Sequence, residues 1–184
     1  MIGPALRSRR LVLSVVAMAT LAIVVGYGVV VDRAPRSRNA DAFMVQRLDG
    51  SPTDLAGFRG QAVLLTVWAT WCWSCRQELP ALARLHRGLG GRPPAVVAIS
   101  VDRDGAEVVE PLLEQLSVKD LPVFLDQTGA SMGRLAISGL PTTILLGPDG
   151  VEKARWHGVK AWDEKPMMDE IAALLADRPE RQAH

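Results

Sequence analysis

Val63-Leu64-Leu65-Thr66-Val67-Trp68-Ala69-Thr70-Trp71-Cys72-Trp73-Ser74-Cys75-Arg76-Gln77-Glu78-Leu79-Pro80 is the stretch that decides the fold. Its first six residues are apolar and β-branched, as a buried strand requires. After it, Leu79, Leu82, Ala83 and Leu85 recur at helical spacing. Between strand and helix stand the only two cysteines of 184 residues, three positions apart. Two thiols at such a junction can close a disulfide and open it again. A helix N-terminus there favours the thiolate, the form that attacks other disulfides.

Two plainer readings compete. A structural zinc site wants four ligands, but there is no second cysteine pair, and His86, His157 and His184 are scattered without ligand spacing. We therefore expect no metal ligands. A purely structural disulfide closing so small a loop removes little chain entropy. Redox exchange is the reading that gives the pair a purpose. No cofactor motif occurs, so no cofactor is expected.

The formal net charge is +1, which suggests no electrostatic attraction to nucleic acid. Leu11 to Val31 is a run of 21 residues without a charge. As a helix it would span roughly 31 Å, enough to cross a bilayer. Arg7, Arg9 and Arg10 precede it, and Val29-Val30-Val31-Asp32-Arg33 offers no small-x-small cleavage site. The expectation is a single-pass signal anchor over residues 11–31, behind a cytoplasmic tail of residues 1–10. Ser8-Arg9-Arg10-Leu11-Val12 is only a loose twin-arginine match. Arg33, Arg36 and Arg38 follow the span, so the positive-inside count is close to a tie that tips slightly towards N-inside.

Residues 32–41 read as a polar linker, residues 42–177 as one compact domain, and residues 178–184 as a tail. Within the domain, Phe43 to Leu48 suggests a short strand and Asp49-Gly50 a turn. Ala95 to Val101 is a second continuous apolar strand, which argues for a parallel pair covered on both faces. Pro80 should kink the cysteine-bearing helix, and Gly88, Gly90 and Gly91 should end it. Leu112, Leu113 and Leu116 give a helical face, with Pro111 placed near its first turn or distorting it. Pro122 to Leu125 reads as a strand and Ala130 to Ala136 as a short helix. Gly147-Pro148-Asp149-Gly150 is a hairpin turn between Thr142–Leu146 and Val151–Trp156. Met167, Ile171, Leu174 and Leu175 mark a last amphipathic helix. The order β-α-β-α-β-α-β-β-α predicts an α/β domain with a mixed central sheet flanked by helices.

Val67-Trp68-Ala69-Thr70-Trp71-Cys72-x-x-Cys75-Arg76-x-Glu78-Leu79-Pro80 resembles the membrane-anchored, thioredoxin-fold thiol:disulfide oxidoreductases of the TlpA/ResA type. Gly139-Leu140-Pro141-Thr142-Thr143-x-Leu145-Leu146-x-Pro148-Asp149-Gly150 matches the same family. The resemblance spans about Phe43 to Ala176. It implies a thioredoxin fold behind one N-terminal transmembrane helix in the bacterial cytoplasmic membrane, with the redox domain facing the periplasm or its equivalent.

The resemblance also implies roles. Cys72 is the nucleophile and Cys75 resolves the mixed disulfide. Pro141 matches the family's cis-proline, and Leu140 before it would offer backbone groups for β-type pairing with a client chain; the plain alternative is a trans proline ahead of a strand. Glu78 matches an acid that many relatives keep, and would carry or relay a proton when Cys75 is activated; the alternative is a solvated helix charge. Thr66 occupies the position where thioredoxin itself has a buried aspartate. Trp71, Trp73 and Ser74 are candidate client contacts around the sulfurs, with packing as the alternative for Trp71. Trp68 belongs to the core. Trp156, Trp162 and His157 carry no reading beyond packing or surface exposure.

Trp73-Ser74 lacks the proline common in this loop, and Pro141-Thr142 differs from the proline-glutamate of the cytochrome-maturation relatives called CcmG. The general TlpA/ResA reading therefore stands ahead of that narrower one. It implies an extracytoplasmic reductase of disulfide-bearing client proteins, with apocytochrome c or copper-site assembly proteins as client classes. A separate transmembrane thiol carrier would donate the electrons, since one span and no cofactor leave no other source in this chain. The nearest rival is an oxidase or isomerase of the same fold. A peroxidase is disfavoured because Ala69 and Trp71 crowd Cys72. A copper chaperone would use the two thiols with His157, its only candidate in the later hairpin.

Overall fold

The computed structural model describes residues 44–176. The expected anchor, linker and both tails lie outside the described residues, as does Phe43. Among the described residues no helix is long and apolar enough to cross a membrane.

The first strands form a small hairpin, β1 (Val45–Gln46) and β2 (Pro52–Thr53), followed by a 3-10 turn at Ala56–Phe58. The first strand is shorter than expected because the chain turns early. Arg47 donates its N–H to Ser51 O at 2.9 Å, and the Asp49 carboxylate accepts from Ser51 N at 2.9 Å. Leu48 therefore belongs to the turn. Neither β2 nor the 3-10 turn has a sequence signal, since a two-residue strand is too short to show alternation.

β3 (Val63–Trp68) is buried along its whole length and pairs parallel with β4 (Ala95–Ser100) and antiparallel with β6 (Thr142–Leu146). β5 (Val123–Leu125) extends the parallel side, and β7 (Glu152–His157) pairs antiparallel with β6. The seven strands lie in the order β2-β1-β5-β4-β3-β6-β7, so the sheet is mixed and β3 is deep inside it.

Among the described residues, four helices accompany the strands: α1 (Trp73–Leu89), α2 (Ala106–Gln115), α3 (Ala130–Arg134) and α4 (Lys165–Ala176). The strand period of two sends alternate β3 residues to opposite faces. Leu64 and Trp68 join a core with Leu79 and Leu82 of α1, Val109 and Leu113 of α2, and Ile171 of α4. Leu65 and Val67 join a second core with Leu55, Ile99, Leu135 and Ile144. This is a thioredoxin-like α/β architecture.

One helix boundary agrees with the sequence expectation and one differs. α1 runs through Pro80 and includes Gly88; it stops at Gly90, which takes the left-handed conformation (φ 56°) and donates its N–H to His86 and Arg87 carbonyls. α2 starts at Ala106, so Pro111 sits in its interior and not in its first turn. Its start is fixed by Gly105 at φ 60°, where an added Cβ would lie 2.7 Å from the Gln127 amide nitrogen.

Leu82 has no solvent exposure and sits where α1 meets the sheet. Leu82→Ala should lower unfolding stability by about 3 kcal/mol, through lost transfer energy and a residual cavity. The urea midpoint should fall with an unchanged slope.

Candidate active site

The end of β3 delivers the chain to the cysteines through Ala69-Thr70-Trp71. This loop is held from β4. The Asp102 carboxylate accepts from Thr70 N (2.8 Å), from Thr70 Oγ1 (2.6 Å) and from Ser100 Oγ (2.7 Å). Asp102 is buried, and its own N–H donates to Ser100 Oγ at 3.1 Å. The sequence reading missed this anchor. Its only signal was an acid directly after a buried strand, a place where loop polar groups need partners.

Cys72 is the N-cap of α1, with extended backbone (φ −85°, ψ 104°), and Cys75 lies in the first turn. The two are joined in a disulfide with Cα atoms 5.2 Å apart. Cys72 keeps 8% exposure and Cys75 1%. The Cys75 N–H donates to Cys72 Sγ at 3.2 Å, and Ser74 Oγ lies 3.5 Å from the same sulfur. In the reduced protein these donors and the helix dipole favour negative charge on Cys72.

Trp71 and Trp73 stand outside the core, 71% and 69% exposed, on either side of Cys72 in sequence. The Arg76 guanidinium lies 5.6 Å from the centre of the Trp73 ring, a cation–π contact that orients the indole. Large apolar surface of this kind beside a reactive group is available to a partner.

The Leu140–Pro141 peptide is cis. The pairing of Val67 with Thr142 puts Pro141 one step further along, level with the end of β3 from which the cysteine loop departs. The Pro141 carbonyl accepts from Gly158 N at 3.0 Å. Thr142 Oγ1 donates its single proton to Gly139 O at 2.7 Å, so the 3.0 Å contact with His157 requires the imidazole to donate through Nδ1. His157, which the sequence reading offered only as a copper ligand in an alternative function, thus braces the turn that carries Leu140 and Pro141.

Glu78 is 1% exposed, one turn beyond Cys75. Lys160 N donates to its Oε2 at 3.2 Å, and Thr143 Oγ1 faces Oε1 at 3.5 Å. Thr143 in turn shares a 2.8 Å hydrogen bond with Thr66 across the β3–β6 pair. Burial away from water raises the Glu78 pKa from 4.5 to about 7, and the Trp162 indole, the Lys160 backbone and charge, and Thr143 only partly offset it. A carboxyl with that property exchanges protons near neutral pH.

Such a carboxyl also makes stability depend on pH. Its folded pKa lies above the unfolded value, so its contribution is full below about pH 4.5 and is lost as pH rises through 7. Glu78→Gln removes the titration. Wild-type stability should therefore fall relative to E78Q by about 3 kcal/mol between pH 4.5 and 8. Denaturant unfolding across that range reads the difference directly, and parallel profiles would contradict the titration.

Comparison with known proteins agrees with this geometry. Residues 37–154 match the AhpC/TSA family. A thiol-disulfide oxidoreductase ResA of Bacillus cereus is 32% identical over 119 residues, 63% of this chain and 67% of that protein. ResA of Bacillus subtilis (strain 168) is 27% identical over 150 residues, covering 78% and 83%. Among solved structures, a putative thiol:disulfide interchange protein DsbE from Chlorobium tepidum superposes with a TM-score of 0.65 at 25% identity, covering 75% of this chain and 96% of that one. With its cysteine pair closed at the head of α1, the chain belongs to the AhpC/TSA family as a thioredoxin-fold thiol-disulfide oxidoreductase of the ResA/DsbE kind, and Cys72–Cys75 is its redox-active disulfide.

Proposed function

We propose that this chain works as a reductant of client-protein disulfides. The observation that carries the exchange chemistry is the pairing of a helix-capping sulfur, Cys72, with a buried proton acceptor, Glu78, one turn beyond Cys75, and the likeness to ResA supports the reducing direction. The Cys72 thiolate attacks a client disulfide, forming the Cys72–client bond and releasing one client thiolate. Glu78 takes the Cys75 proton. The Cys75 thiolate then attacks Cys72 Sγ, closing the Cys72–Cys75 bond and releasing the second client thiolate. Two electrons pass to the client; its first thiolate takes up the proton that Cys72 had lost to water, and its second takes the Cys75 proton from Glu78.

Trp71, Trp73 and Ser74 contact the client around the sulfurs, while Leu140 offers its backbone and Pro141 shapes the turn beside it. Extracytoplasmic proteins with haem-attachment or copper-site cysteines are the client classes that the ResA likeness suggests. A separate transmembrane thiol carrier returns the dithiol to its reduced state. The apolar run over residues 11–31 would tether the domain to the bacterial cytoplasmic membrane, with the redox site facing outward. An oxidase or isomerase of the same fold is the alternative, and the reduction potential separates it.

Cys75→Ala should trap a mixed disulfide between Cys72 and a client, seen as a higher-mass species that dithiothreitol removes. Cys72→Ala should trap none. Glu78→Gln should still form the mixed disulfide but resolve it about 10²-fold more slowly at pH 7. Trapping through Cys75 in place of Cys72 would overturn the assignment of roles.

A further inference from the structure

Trp162 has no solvent exposure, and its Nε1–H meets no acceptor in hydrogen-bond geometry among the described residues. A buried donor without a partner is costly, and one that persists points to the chemistry of the site around it. The acceptor beside it is the Glu78 carboxyl, whose ionised form the indole favours although no formed hydrogen bond joins them. The ring is fixed in place. Trp156 packs edge-to-face on it, with centroids 5.4 Å apart at 86°, and Trp156 Nε1 donates to Glu170 at 3.2 Å. Trp156 also pairs across the sheet with Thr143, whose hydroxyl faces Glu78.

We propose that Trp162 is a positioning residue whose indole N–H is kept for the carboxylate form of Glu78. This rests on the proton role proposed for Glu78 above. A neutral carboxyl carries a proton on one oxygen and accepts fewer hydrogen bonds than a carboxylate. Lys160 N and Thr143 Oγ1 already address the two oxygens, so the neutral form leaves the third donor idle. Ionisation supplies the missing acceptor. When the proton passes from the Cys75 thiol to the carboxylate, no electrons move in that step; the indole is released as the acid forms and recaptured as the acid gives its proton up.

The other groups around the carboxyl are few. Lys160, on the loop after β7, supplies the charge that acts on it. β3 and β6 contribute the hydroxyls of Thr66 and Thr143, and α1 carries Cys75 with Cys72 at its cap. Asp163, next to Trp162, bonds to Arg84 of α1 at 2.6 Å at the surface.

The test is a ¹³C-carboxyl NMR titration of Glu78 in the full chain, assigned with E78Q. Wild type is compared with Trp162→Phe and with Trp162 replaced by β-(3-benzothienyl)alanine. The second replacement keeps the bicyclic shape and removes only the N–H, so it reads the donor even where the smaller ring disturbs folding. Both should raise the carboxyl midpoint by about one pH unit, a tenfold change in its ionisation constant. An unchanged midpoint in the benzothienyl protein overturns the proposal. A midpoint that moves while the pH profile of client exchange stays still upholds the indole's hold on Glu78 and removes that carboxyl from the proton route, so the two ideas fail separately.

Discussion

A strand buried on both faces can be left only through a loop whose polar groups find partners inside the protein. β3 is such a strand, and Asp102 supplies those partners by gripping Thr70 through both backbone and hydroxyl. That grip sets where α1 begins. With the start fixed, Cys72 falls at the cap, Cys75 in the first turn and Glu78 a turn further, facing the sheet. The site is thus a consequence of how one parallel strand pair, β3–β4, ends.

The second constraint is electrostatic. Glu78 lies one helical turn beyond Cys75 in a place where a full charge is poorly solvated, and the protein surrounds it with weak donors instead of a close ion pair. A strong salt bridge would lock the carboxylate in its charged form, and an apolar wall would lock it neutral. Hydroxyls, one backbone N–H and an indole leave it free to change state. Thr66 then reads as the far end of this polar row and adds no second acid to compete for the proton.

Much of this was legible in the sequence. The apolar run Val63–Trp68, the C-x-x-C spacing and the leucines after it marked strand, junction and helix, because each element has its own period and length. The hairpin at Gly147–Gly150 was equally plain. The end of α1 within Gly88–Gly91 was legible too, but the start of α2 was harder, since Pro111 usually marks a helix's first turn yet here lies inside α2. Asp102 and Trp162 were not legible as site residues at all, and His157 entered only as a copper ligand of an alternative function, not as a brace of the Pro141 turn. Each acts through a partner distant in sequence: Thr70 across 32 positions, Thr142 across 15, and Glu78 from a separate loop. Pairings of that kind follow from the folded register and leave no local pattern.

The measurement that tests the central claim most directly is the equilibrium reduction potential of the Cys72–Cys75 couple, in the full chain and in defined thiol buffers. A reversible two-electron couple near the thioredoxin value, about −270 mV, is what a reductant in an oxidising compartment requires. A value nearer about −120 mV would make the chain an oxidant and contradict the account.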